Sequence, residues 1–342
     1  MEHFDVIIVG GGPAGLKCAE TLSFSGLEVL LVEKNQKLGK KVCAGGLTRR
    51  SITALPVPPE LVECAVYRTE LCTPRRHSVS LSEEPLAFMI NRTELGEWQY
   101  EKIDAPNIHF IMGVGVTSVK EKHVILSDGT EYSYDYLVGA DGFNSIVRKY
   151  LGFPQDRKLI GIQYRIARKM EGEALLFHFN PRFFKAWYTW TFPHRDSHVI
   201  GCCADPAIMP VRQLKDNFHR WLAEKGVDLK NAEFESAPIS FDYRGFRFGN
   251  IFLAGEAGGF ASGLNGEGIY QATVSGEAAA RLILNQDAAL PDLKRMMRYN
   301  RIQKRILNFL LFAGPLRKPV FELIVMMYGI RSLQKQTNRL FT

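Results

Sequence analysis

Phe4-Asp-Val-Ile-Ile-Val9 is an almost unbroken β-branched run, the pattern of a strand buried on both faces of a parallel sheet. A glycine-bearing turn separates it from Leu16–Ser25, whose composition is helical, and Leu27-Glu-Val-Leu-Leu-Val32 repeats the strand pattern. Strand, helix and strand in such close succession predict a βαβ unit. Past residue 153 the pattern changes. Leu159–Ala167, Ala174–Phe179, Trp187–Phe192 and His198–Ala204 read as antiparallel strands and Val211–Lys225 as a helix, a second layer able to roof the first. In Tyr188-Thr-Trp190-Thr-Phe192 a period of two places the three rings on one sheet face. Near the end, Lys294, Arg298, Arg301 and Arg305 recur at helical spacing, with Leu293, Met296, Ile302, Ile306 and Phe309 largely on other faces. The expected division is 1–153 with 246–290, then 154–245, then a basic helical tail over 291–342.

Composition changes this picture little. The 342 residues are 46% hydrophobic and 23% charged, an ordinary globular balance. No run of 18 or more uncharged apolar residues exists, and the apolar stretches 306–313 and 319–328 are too short to span a bilayer. The acidic opening Met1-Glu-His-Phe-Asp leads straight into a strand, so no secretory leader is expected. Six scattered cysteines without a CxxC or Cys/His cluster predict neither a disulfide framework nor a metal site, and fit the cytoplasm. Charge is more informative. From Lys294 onward eleven Lys and Arg stand against Glu322 alone, so the net +7 belongs to the tail. Basic charge beside large apolar side chains predicts a peripheral contact with the cytoplasmic membrane face, and no nucleic acid.

The turn after the first strand is Gly10-Gly-Gly12-Pro13-Ala14-Gly15, and the second strand ends in Glu33-Lys34. In this context the glycines carry a dinucleotide fingerprint. Gly10 allows the tight turn, Gly12 lets backbone N–H groups approach a pyrophosphate, and Gly15 lets the helix pack closely. The helix N-terminus adds partial positive charge. Glu33, 18 residues past Gly15, is placed to accept from adenosine ribose hydroxyls, which disfavours a 2′-phosphate. The fingerprint alone does not separate FAD from NAD.

Tyr136-Leu-Val-Gly-Ala-Asp141-Gly142 and Gly249-Asn-Ile-Phe-Leu-Ala-Gly255-Glu256, the latter leading to Gly266-Glu-Gly268-Ile269, resemble the paired motifs of the class A flavoprotein monooxygenase superfamily. That resemblance implies FAD. It also implies an α/β fold, a Rossmann-like FAD-binding domain of p-hydroxybenzoate hydroxylase/glutathione reductase type with an inserted antiparallel-sheet substrate domain and a C-terminal helical tail. The late motif is expected against the ribityl chain and phosphates, the following helix start at the flavin N1–C2=O edge, Arg92 on the cofactor and Val116 at the adenine. Two segments narrow the likeness. Cys43-Ala44-Gly45-Gly46 is similar to the Cys-x-Gly-Gly loop of the geranylgeranyl reductase family, and Tyr188-Thr-Trp190-Thr-Phe192-Pro193 to its PxxYxWxFP signature. The chain departs at Lys185, where proline is expected, and at Glu256, where aspartate is usual. The resemblance spans residues 4 to 285.

What it implies is FAD-dependent saturation of isoprenoid C=C bonds in a polyprenyl lipid or prenyl diphosphate, by hydride transfer from flavin N5. Cys43 and Tyr188 are the candidate proton donors, with Trp190 beside them in the catalytic wall. No second fingerprint follows another strand, so NAD(P)H or a small electron-carrier protein must dock transiently. The alternatives on this fold are a flavin-dependent aromatic hydroxylase, which predicts a polar pocket, and a non-catalytic prenyl-binding protein, which predicts eroded flavin contacts.

Overall fold

The computed structural model describes residues 1–168 and 172–330, so the last part of the expected tail, 331–342, lies outside the described residues. Glu2–Val9 lies inside an eight-stranded sheet, parallel to Val29–Glu33 on one side (Val6 opposite Val29) and to Glu131–Gly139 on the other (Val6 opposite Tyr136). Ile108–Met112 and Ile251–Leu253 extend the parallel set on either flank. The β-branched run has a plain cause in this arrangement. Val6 and Ile8 enter a core with Leu16, Cys18 and Ala279, whereas Ile7 and Val9 enter another with Val124, Leu126 and Val147. Successive side chains point to opposite faces, so a strand covered on both must be apolar throughout.

The helices Pro13–Leu22 and Ile269–Leu284 cover one face of this sheet and touch at Gly276, where a Cβ would lie 2.1 Å from the Ala14 carbonyl oxygen. The second sheet has seven strands, ordered Glu233–Ser240, Lys158–Ile166, His198–Ala204, Thr189–Pro193, Ala174–His178, Arg68–Cys72 and His77–Leu81. The expected strands are present. The sheet also reaches outside 154–245, because Arg68–Cys72 joins Ala174–His178 in parallel and brings its own hairpin to the edge. Behind the sheet, Val211–Glu224 buries Leu214, Phe218, Trp221 and Leu222 against Phe184 and Trp187. The polar spacers of the aromatic strand, Thr189 and Thr191, are buried, while Trp190 and Phe192 remain partly open on the opposite face.

Pro291–Phe312 and Arg317–Tyr328 form a helical pair that closes the molecule. Leu307, Leu310, Phe321, Val325 and Tyr328 join the core of the second sheet, with Phe321 stacked on Phe179 at 4.9 Å. Lys294, Arg298, Arg301 and Arg305 are all exposed, as the spacing predicts. Ile302 and Phe309 are exposed too. Among the described residues no helix is long and apolar enough to cross a membrane.

Candidate active site

The carboxyl ends of the parallel strands run into Val9, Glu33, Ala140 and Gly255, which border one cavity of about 800 Å³ that continues under the second sheet. Ligand sites in open α/β sheets lie at such ends. Of the residues singled out from sequence, Gly10, Gly12, Pro13, Ala14, Glu33, Lys34, Cys43, Ala44, Gly46, Arg92, Val116, Asp141, Gly142, Gly255, Glu256, Gly266, Gly268 and Ile269 line it, together with Tyr188 and Trp190. Gly15 does not. A Cβ on Gly15 would lie 1.9 Å from the Gly10 carbonyl oxygen, so its role is to let the helix close on the turn.

The phosphate end is built from backbone. Gly10 turns at φ +104°, where a Cβ would sit 2.5 Å from the Ala140 carbonyl oxygen. Gly12 caps Pro13–Leu22 and a Cβ there would meet nothing within 4 Å, so the approach to the helix N-terminus is open. Glu33 Oε2 accepts from Gly11 N–H at 2.7 Å, and Oε1 accepts from the Asn35 backbone and side-chain nitrogens at 2.9 and 2.5 Å. One lone pair on Oε2 is left for a ribose hydroxyl.

Three buried polar side-chain atoms in the cavity wall have no partner among the described residues: Trp190 Nε1 on the far wall, and two of opposite kind nearer the glycine cradle. Arg92 leads a helix capped by Asn91, whose Oδ1 accepts from Thr93 N–H at 2.8 Å, and its buried Nη1 is unpaired. Burial lowers the pKa of this guanidinium, offset by nearby Cys43 and Glu256. Asp141 Oδ2 accepts from Ile146 N–H at 2.6 Å, while its buried Oδ1 is unpaired. Burial raises the Asp141 carboxyl. A buried polar atom without a partner is unfavourable, so an orphan donor and an orphan acceptor beside a glycine cradle mark a ligand with phosphate and hydroxyl groups. FAD fits this set.

The loop from Lys41 to Gly46 crosses the cavity and is tied from several sides. Gly45 N–H donates to Cys43 Sγ at 3.3 Å, and Gln163 Nε2 donates to the Cys43 carbonyl at 3.3 Å and to Glu235 at 2.6 Å. Under the loop, buried His194 joins Glu63 through Nδ1 and the Ala44 carbonyl through Nε2 at 3.1 Å. Hydrogen bonding from His194 holds the Glu63 carboxyl below its ordinary range. Lys41 pairs with Glu256, giving the unusual glutamate a cationic partner. The other departure has a backbone cause. Lys185 ends a short helix at φ +53°, a conformation closed to proline.

The far wall is aromatic. Phe177 meets Tyr188 and Phe192 edge-on at 5.4 and 5.5 Å, and the Trp190 ring lies across Gly201 of the neighbouring strand, whose Cβ would come within 2.5 Å of it. Burial pushes the Tyr188 phenol well above 10. Cys202 and Cys203 are free and buried, consistent with strand filling, and Cys203 also borders the cavity. Sequence reading missed Lys41, Gln163, Phe177, His194 and Glu267. Phe177 lay in a strand already recognised, and Glu267 lay between two glycines already singled out.

Residues 4–160 match the family model described as pyridine nucleotide-disulphide oxidoreductase. The chain is 25% identical over 296 residues to a geranylgeranyl diphosphate reductase of Rhodobacter capsulatus, covering 81% of this chain and 74% of that one. It is 24% identical over 321 residues to a digeranylgeranylglycerophospholipid reductase of Methanocaldococcus jannaschii, covering 87% and 82%. Its fold is similar to that of a geranylgeranyl bacteriochlorophyll reductase-like protein from Thermoplasma acidophilum, with a TM-score of 0.78, 19% identity, and 96% and 92% of the two chains covered.

Proposed function

We propose that this chain, an FAD-dependent oxidoreductase similar to geranylgeranyl reductases, saturates isolated C=C bonds in a polyprenyl lipid or prenyl diphosphate. The observation that carries this reading is the continuity of one cavity from the glycine cradle to the wall of Phe177, Tyr188, Trp190 and Phe192. Such a wall suits a hydrocarbon chain, since each buried CH₂ contributes about 0.8 kcal/mol. When bound, FAD supplies a hydride at N5 of its reduced ring.

The chain's own residues then have distinct tasks. Gly10–Gly12, Glu33, Arg92 and Asp141 bind the cofactor. The Cys43–Gly46 loop, fixed by Gln163 and His194, positions the reacting face, and the aromatic wall excludes water. Cys43 and Tyr188 line the cavity as candidate proton donors, although burial makes the Tyr188 phenol a reluctant one. The donor that recharges the flavin is NAD(P)H or a small electron-carrier protein docking transiently.

A substrate that lives in a bilayer gives the tail a use. Phe309, Phe312 and Leu316 are exposed where the closing helices meet, beside the cationic stripe. We place the protein at the cytoplasmic membrane face through this patch. The test is product mass: incubation with a geranylgeranyl lipid or diphosphate and a chemical reductant should add two hydrogens per double bond. Unchanged prenyl substrates, with a phenol hydroxylated at the expense of oxygen, would put an aromatic hydroxylase in its place.

A further inference from the structure

Glu267 is an acidic side chain to which the roles above give no task. It stands between Gly266 and Gly268, is partly buried, and lines the cavity. Thr48 Oγ1 donates to its Oε1 at 3.1 Å, and Gln271 Nε2 donates to Oε2 at 3.4 Å. Thr48 lies just past Gly46, so this contact joins the Cys43 loop to the late glycine loop, the two segments that border the reacting end of the cavity. Thr48 Oγ1 also meets Ser51 Oγ at 3.0 Å, which makes a short polar chain along the wall. Behind it Arg50 lies over the Tyr299 ring at 3.8 Å and donates to the Tyr299 hydroxyl at 2.7 Å. Burial raises the Glu267 carboxyl, opposed by Arg50 and by its hydrogen bonds to Gln271, Thr48 and Asn265. Tyr188 of the aromatic wall lines the same cavity as Glu267, and the carboxylate charge helps raise its phenol.

We propose that Glu267 is the proton donor of the reduction. The inference rests on the reductase reading. One carbon of the double bond takes a hydride, whose electron pair comes from the reduced flavin, which is thereby oxidised. The other carbon forms its new C–H bond with the proton released as the Glu267 O–H bond breaks. Glu267 is left as a carboxylate and regains its proton from water once product has gone. A carboxyl lining the cavity releases its proton more readily than Tyr188, whose phenol burial holds well above its ordinary range.

The experiment uses the FAD-loaded protein and Glu267→Gln, which keeps the size of the side chain, its amide oxygen accepting one of the two bonds while its NH2 donates the other, to Thr48 Oγ1 or to Gln271 Oε1. In infrared spectra without substrate, the wild type should show a protonated-carboxyl C=O band that the variant lacks. Reduced anaerobically and mixed with geranylgeranyl diphosphate, the variant should reoxidise on the order of a hundredfold more slowly, at unchanged FAD content and melting temperature. Glu267→Ala should regain rate on addition of formate, as a merely structural role would not. A variant that reoxidises as fast as wild type, or a wild type without the carboxyl band, overturns the inference and leaves the reductase reading standing. A wild type that no prenyl substrate reoxidises overturns both.

Discussion

Arg92 leaves a guanidinium N–H buried in the cavity wall with nothing among the described residues to receive it. Hydrogen bonds to charged groups contribute roughly 1.5–3 kcal/mol, so Arg92→Met should weaken FAD binding by about one to two orders of magnitude in a flavin titration. The melting temperature of the apoprotein should not fall, because the orphaned donor is removed with its charge. His178 gives a prediction in pH. Burial pulls it from 6.5 to about 4, and its ring packs edge-on against Trp221 at 5.3 Å. The unfolded chain therefore binds the proton that the folded one refuses, and stability should rise with pH between about 4 and 6.5. Melting curves of His178→Phe should lack that slope. At this scale the sequence was legible wherever backbone geometry demanded a residue type. Gly10 and Gly12 could be read because no side chain fits their tasks, whereas His194 and Glu267 act through partners more than a hundred residues away.

Trp187–Phe192 illustrates both the reach and the limit of reading elements. Its period of two is a local property, and the rings of Trp190 and Phe192 duly face the cavity while Thr189 and Thr191 are buried behind. The partner that shapes the wall, Gly201, sits on the adjacent strand, opposite Trp190. Gly201→Ala should push the indole into the cavity, lowering stability by about 1–3 kcal/mol in denaturant unfolding and raising KM for the longest prenyl substrates most. The hairpin 68–81 carries no sign of which sheet it joins, because strand pairing is decided by tertiary packing. The closing helices mix the two cases. Their basic spacing predicts an exposed stripe, but only packing reveals that Phe312 is left 90% exposed at the turn. On the membrane proposal, the Phe312→Glu, Leu316→Glu double variant should lose sedimentation with anionic vesicles that the parent shows at low salt. A parent that never sediments would remove the proposal.

At the scale of the molecule, the parallel sheet fixes a dinucleotide at its carboxyl edge and the second sheet lays an aromatic surface over the same cavity. The Cys43–Gly46 loop spans the two, held by Gln163 and His194 from the second sheet, while Glu267 meets Thr48 just beyond it. This joint brings cofactor and hydrocarbon together, so the proposed activity requires electron flow between them. It is tested most directly by reducing the FAD-loaded protein with dithionite under anaerobic conditions, adding a geranylgeranyl lipid or diphosphate, and following the visible flavin band. Reoxidation in step with saturated product, without oxygen, is the expected result. A flavin that stays reduced across a panel of prenyl substrates, yet reoxidises at once in air, would contradict it.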